Sequence, residues 1–166
     1  MAKNDLTAGR LRELLHYDAA TGIFTRLTRP SNRVQSGDAA GCMSGGYRII
    51  CCDDVQYLAH RLAWLYITGA WPIANIDHID GRKANNRFSN LRDVSRAVNQ
   101  QNMRRPMISN KSSGVLGVSW SKHAGKWRAS LRIAGKATNL GYFATTELAH
   151  AAYLAAKRIH HVGCTI

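Results

Sequence analysis

The chain has 166 residues, with 23 Lys and Arg against 10 Asp and Glu, a formal net charge of +13 and 45% hydrophobic residues. That length holds one ordinary domain or two small ones, and the apolar share excludes a chain disordered throughout. The positive excess speaks against a cationic main partner and favours a polyanion, either nucleic acid or an anionic surface.

Taken in chain order, Leu11, Leu14 and Leu15 predict a short helix that breaks at Asp18-Ala-Ala-Thr-Gly22, followed by a strand over 23–27 and a loop rich in Pro, Ser, Asn and Gly through Gly46. Tyr47 to Cys52 and Val55 to Leu58 read as a hairpin about Asp53-Asp54. His60 to Ile67 is an apolar helix ended by Gly69 and Pro72. A short strand at Ile76–Asp80, a polar loop over 82–87, an extended Ser89–Val94 and a helix capped by Ser95 and running to Asn102 come next. Met103 to Gly114 is polar and reads as a linker. Strands are then expected over 115–121, 126–133 and 137–142, with a closing helix over 146–160 capped by Thr145.

The charge is distributed unevenly along this order. Residues 1–58 carry 7 basic and 6 acidic side chains, residues 59–105 carry 8 and 3, and residues 106–166 carry 8 against Glu147 alone. Polyanion contact therefore belongs mainly after residue 58. The longest apolar stretch, Leu62 to Trp71, is interrupted by Thr68 and Gly69 and is too short to cross a bilayer, and the N-terminus lacks the apolar core of a secretion signal. A cytoplasmic protein without membrane contact is expected. Cys42, Cys51, Cys52 and Cys164 form no Cys-x-x-Cys pair, so reduced thiols packed as small apolar residues are the default.

Asp77, His78, Asn90 and Asn99 stand out in the strand, loop, strand, helix section. Phosphodiester hydrolysis needs a base for water and a cation for the charge on the phosphate; histidine suits the first, and Asp77 with the Asn99 amide oxygen would provide half of an oxygen ligand set for the second. Asn90 could accept one imidazole N–H and hold the ring in a working tautomer. Asp80-Gly81 reads as a turn, Asn85 and Asn86 as loop residues, and His60 equally as a packing or a site residue.

Residues 60–102, through His-Arg-Leu-Ala-Trp, Ile-Asp-His-Ile-Asp-Gly, Asn-Asn-Arg-Phe-Ser-Asn-Leu-Arg and Asn-Gln-Gln-Asn, resemble the HNH nucleases of the phage and intron homing type. The resemblance implies a ββα-metal fold that cleaves DNA with a divalent cation: His78 as general base, Asn90 orienting it, Asp77 and Asn99 binding Mg2+ or Mn2+. Asn99 departs from the majority pattern, which has a second histidine there. Arg82, Arg87, Arg92 and Arg96 are candidates for neighbouring phosphates.

In the last third, Trp127, Ala129, Leu131 and Ile133 alternate with Arg128, Ser130 and Arg132, leaving one apolar and one basic face. Trp120 and Trp127 are expected in the core. A bare basic sheet face can enter a DNA major groove. Residues 110–161 resemble the AP2-type DNA-binding domain through Ser-Gly-Val-Leu-Gly-Val-Ser-Trp, Gly-Lys-Trp-Arg-Ala-Ser-Leu-Arg, Leu-Gly-Tyr-Phe and the alanine-rich helix. The family's DNA face falls on Arg128, Ser130 and Arg132; Lys122, Lys126 and Lys136 are further candidates.

The expected architecture is α+β, with a scaffold over 1–58, a ββα-metal core over 59–105, a linker over 106–114, and a three-stranded antiparallel sheet plus helix over 115–166. The expected activity is a metal-dependent endonuclease on double-stranded DNA, acting as a monomer without a protein partner. The alternatives are an AP2-type DNA-binding regulator with an inactive nuclease centre, and an RNA-binding or structural phage protein.

Overall fold

A computed structural model describes residues 6–29, 34–106, 110 and 112–166, which divide into two compact units, one ending at Arg96 and one beginning at Ala97. In the first, the Thr7 hydroxyl accepts from Arg10 N and caps α1 (Ala8–Leu14). Leu15 does not continue the helix. It opens β1 (Leu15–Asp18), which pairs antiparallel with β2 (Ile23–Arg26), so that Leu15, Tyr17 and Phe24 all reach the core. The Asp18 carboxylate closes this hairpin by accepting from Ala20 N and the Thr21 hydroxyl, and Gly22 supplies a positive φ of 76°.

A three-stranded antiparallel sheet follows, with β3 (Cys42–Ser44), β4 (Tyr47–Cys52) and β5 (Val55–Leu58) in that spatial order. β3 lies inside the segment expected to be loop. Asp53 and Asp54 both take positive φ, as a two-residue hairpin turn with right-handed strands requires. The hairpin feeds α2 (Ala59–Thr68), whose inner face buries Ala59, His60, Leu62, Ala63 and Leu65, and Gly69 ends it in the left-handed region. β6 (Asn75–His78) pairs antiparallel with β7 (Leu91–Val94). A single 3-10 turn at Phe88–Asn90 replaces the extended backbone expected from residue 89.

α3 (Arg96–Gln101) opens on the last residue of the first unit, and its end, in the second unit, is tied to the C-terminal residues. Gly163 N donates to the Gln101 side chain at 3.0 Å, the Thr165 hydroxyl donates to the Asn102 side chain, and Lys157 Nζ donates to Met103 O at 2.6 Å. The boundary between units therefore falls ahead of the segment 106–114, of which residues 107–109 and 111 lie outside the described residues. β8 (Val118–Ser121), β9 (Lys126–Ile133) and β10 (Lys136–Phe143) form an antiparallel sheet in sequential order, and α4 (Thr146–His160) covers one face, capped by Thr145. Val118, Ala129, Leu131, Ala149 and Tyr153 make its core. Gly117 lets the helix approach, since a Cβ there would stand 1.9 Å from the Tyr153 ring.

The architecture is mixed α+β. Among the described residues no helix is long and apolar enough to cross a membrane. Cys52 is buried as expected, but Cys42 and Cys51 are exposed because they sit on the outer side of the β3–β4–β5 sheet.

Candidate active site

Asp77 and His78 end β6, and both are buried, at 6% exposure. Their strand stops at His78, and the turn behind it is built by Asp80. The Asp80 carboxylate accepts from Arg82 N at 2.8 Å, Asn85 Nδ2 at 2.7 Å and Asn90 Nδ2 at 3.0 Å. Burial opposes ionisation of Asp80, but the Asn85, Arg82 and Asn90 donors outweigh it and hold the carboxyl below its usual range. Asp80-Gly81 is thus a turn, as its composition suggests, and an anchored one.

Asn90 belongs to that turn rather than to the imidazole. Its Oδ1 accepts from Asp80 N at 2.9 Å, its Nδ2 also donates to Asn85 O at 2.8 Å, and its own carbonyl accepts from Ile79 N. Asn86 meets the His78 ring instead, with Nε2 to Oδ1 at 3.2 Å. Asn86 lies in a loop, as expected, but is only 2% exposed, so it is a buried loop residue. The cause is tertiary: Tyr17 donates its hydroxyl to Asn86 O at 2.6 Å, and the β1–β2 hairpin presses on the loop at Gly22.

The His60 ring packs edge-on against His78, with centroids 5.0 Å apart, and Tyr47 touches both. Lys83 places its ammonium 4.6 Å from the Tyr47 ring centre. His60 is pushed down to about 3, foremost by burial and then by His78 and Arg61. Burial also lowers His78, against the hydrogen bond to Asn86 and the charges of Asp80 and Asp77. Both rings are therefore neutral at physiological pH, and a neutral His78 retains a lone pair able to take a proton. The sequence signal for His60 was its place at the start of an apolar helix beside Arg61.

Asp77 lies opposite Arg92 in the β6–β7 register, and Arg92 Nε and Nη2 both donate to Asp77 Oδ2, at 2.9 and 2.7 Å. Arg92 is thereby engaged with a carboxylate rather than presented to solvent as a phosphate contact. Arg82, Arg87 and Arg96 are exposed. Asn99 is half-buried on α3, in the second unit. Among the described residues no group of three His, Cys, Asp or Glu is arranged to hold a metal. Asp77 offers a carboxylate and Asn99, in the other unit, an amide oxygen; donors of these types suit a hard oxygen-seeking cation rather than tetrahedral zinc.

On the second unit, the face of the β8–β9–β10 sheet away from α4 carries Lys126, Arg128, Ser130 and Arg132 from β9. β10 adds Ala137, Asn139 and Tyr142, because a register shift between Asn139 and Gly141 brings Tyr142 opposite Arg128. Plain alternation from Ala137 would have turned Tyr142 to the other side. Lys136 sits opposite Ile133 and so falls on the helix-side face, at the sheet's end. Lys122 is exposed in the β8–β9 turn. Trp120 is 46% exposed, contrary to the expected core position, because it lies in the row beyond the packed Val118 and Ala129; Trp127 opposite it is half-buried and packs on the core edge-on to Trp120.

The model of a family described as HNH endonuclease matches residues 57–101. Protein 3.8 of Escherichia phage T7 is 34% identical over 102 residues, which cover 61% of this chain and 83% of that protein. No solved structure matches at a significant level.

Proposed function

The chain belongs to the family of the phage T7 protein and carries an HNH endonuclease segment, and from that premise we propose that it is a metal-dependent endonuclease of the homing type that hydrolyses phosphodiester bonds in double-stranded DNA. The observation that carries this reading is the buried His78 at the end of β6, held against Asn86 and next in the strand to the carboxylate of Asp77. His78 takes a proton from the attacking water. Asp77 and Asn99 would hold Mg2+ or Mn2+, and a cation bound there supplies positive charge for the phosphate and the departing oxygen. Asn90 fixes the turn that ends the strand bearing His78. Departure of the 3′ oxygen leaves 5′-phosphate and 3′-hydroxyl ends.

Arg82, Arg87 and Arg96 hold flanking phosphates as exposed cations. The second unit acts as an AP2-type module, with Lys126, Arg128, Ser130 and Arg132 on a basic sheet face entering the major groove and Lys122 reaching the backbone. One centre per chain makes nicking the outcome expected of a monomer. The T7 relative supports action in the cytoplasm of an infected cell.

Supercoiled plasmid incubated with the full chain in Mg2+ and in EDTA tests this reading. Relaxed or linear product with Mg2+ and none with EDTA is expected; intact plasmid under both conditions overturns it. A DNA-binding regulator with an inactive centre is the second reading, favoured by the Arg92 guanidinium on Asp77, and it predicts retained duplex binding with no cleavage.

A further inference from the structure

We propose that Asn86 is the positioning residue that sets the tautomer of His78, its side-chain oxygen accepting from Nε2–H so that the basic lone pair lies on Nδ1. This rests on the reading of His78 as the base, and it assigns to Asn86 the orienting role expected of Asn90. Asn90 has its amide turned to Asp80 N, Asp80 Oδ1 and Asn85 O. Asn86 is within hydrogen-bond distance of Nε2, at 3.2 Å, and is the most buried polar side chain among the described residues of the first unit.

The loop that carries Asn86 is fixed from three directions by the β1–β2 hairpin. Tyr17 donates to Asn86 O at 2.6 Å, Phe88 N donates to Ala19 O at 3.1 Å, and a Cβ at Gly22 would lie 2.4 Å from both Asn86 C and Arg87 N. The backbone that carries the amide is thereby held in place beside the ring. Unlike a carboxylate, an amide also brings no charge beside the ring, so it selects a tautomer without itself titrating. The N-terminal hairpin, an expected scaffold, thereby reaches the reacting histidine through one side chain.

The test is long-range 1H–15N correlation of the imidazole rings in the 15N-labelled full chain, with His78 identified by its loss in His78→Ala. The wild type is expected to show the Nε2–H tautomer alone. In Asn86→Ala the His78 signals should become those of a tautomer mixture, and kcat for duplex cleavage should fall by about 10- to 100-fold with KM little changed. Asn86→Asp keeps an acceptor at the same place and should restore the single tautomer at a pH high enough to keep the ring neutral beside the added charge; Asn86→Leu, of similar shape but without an acceptor, serves if the alanine variant does not fold. An Nδ1–H tautomer in the wild type, or a tautomer indifferent to Asn86→Ala, overturns the assignment. An Asn86-dependent tautomer in a protein that cuts no DNA would leave the assignment standing and defeat the nuclease reading instead.

Discussion

Acidification from pH 7.5 to 5 destabilises the first unit through His60, and the size of the effect follows from its burial. The ring is 6% exposed, enclosed by His78 and Tyr47, with its folded pKa pushed down to about 3. The unfolded chain returns it to about 6.5. Between those values the unfolded state binds more protons, so stability rises with pH. The contribution of the neutral ring is complete above the unfolded value and is lost as pH falls toward the folded one. At pH 5 the loss from this single group is about 2 kcal/mol, and its limit is about 5 kcal/mol, against a domain stability of about 5–15 kcal/mol. His78, lowered mainly by burial, acts with the same sign. Asp80 is lowered too, but an unfolded carboxylate titrates near about 3.9, so its contribution is lost below this window. Urea unfolding of the wild type and His60→Gln at pH 7.5 and 5.0 measures the effect as a difference of differences. The wild type should lose about 2 kcal/mol more than the variant. Equal losses in the two proteins would show that His60 is not held neutral by its surroundings.

Removing the Arg92 side chain leaves the Asp77 carboxylate buried without its guanidinium, and Arg92→Ala should cost about 2–4 kcal/mol in urea unfolding. If Asp77 is a cation ligand, Mg2+ should stabilise Arg92→Ala more than the wild type in the same assay. Gly22→Ala combines a positive φ with a 2.4 Å approach to the Asn86 backbone; it should destabilise by about 2 kcal/mol or more, and thermal unfolding would register it. On the sheet face, Arg128→Ala should reduce the log–log salt slope of duplex binding by about 0.9, as loss of one phosphate contact does. Tyr142→Ala should weaken duplex binding while leaving the melting temperature unchanged, because Tyr142 is 47% exposed; a shift in melting without loss of affinity would place it in packing instead.

What could be read from the sequence is what local chemistry decides. The Asp53-Asp54 turn, the Gly69 stop of α2 and the Thr145 cap of α4 each depend on a residue type in its own neighbourhood, and each stands where expected. β1 was hidden because Leu15 extends a helical leucine pattern; pairing with β2 overrides it, burying Leu15 and Tyr17 on one strand face. The place of Tyr142 on the basic face could not be read from alternation, to which a one-residue register shift is invisible. At the candidate site, the spacing of Asp77, His78 and Asn90 announced their proximity but not their partners. Asn90 fastens the Asp80 turn, Arg92 fastens Asp77, and Asn86 meets His78 only because Tyr17 and Gly22, more than sixty positions earlier in the chain, bury its loop. The helix bearing Asn99 reads as the end of the nuclease segment, yet its far end is held by Lys157, Gly163 and Thr165 at the other terminus.

Whether His78 supplies the base for DNA hydrolysis is read from the single-turnover cleavage rate of a labelled duplex by wild type and His78→Ala in Mg2+, at protein concentrations that saturate the DNA. The wild type should cleave and the variant should lose at least about 100-fold, with duplex affinity preserved. Cleavage that survives His78→Ala undiminished would contradict that role.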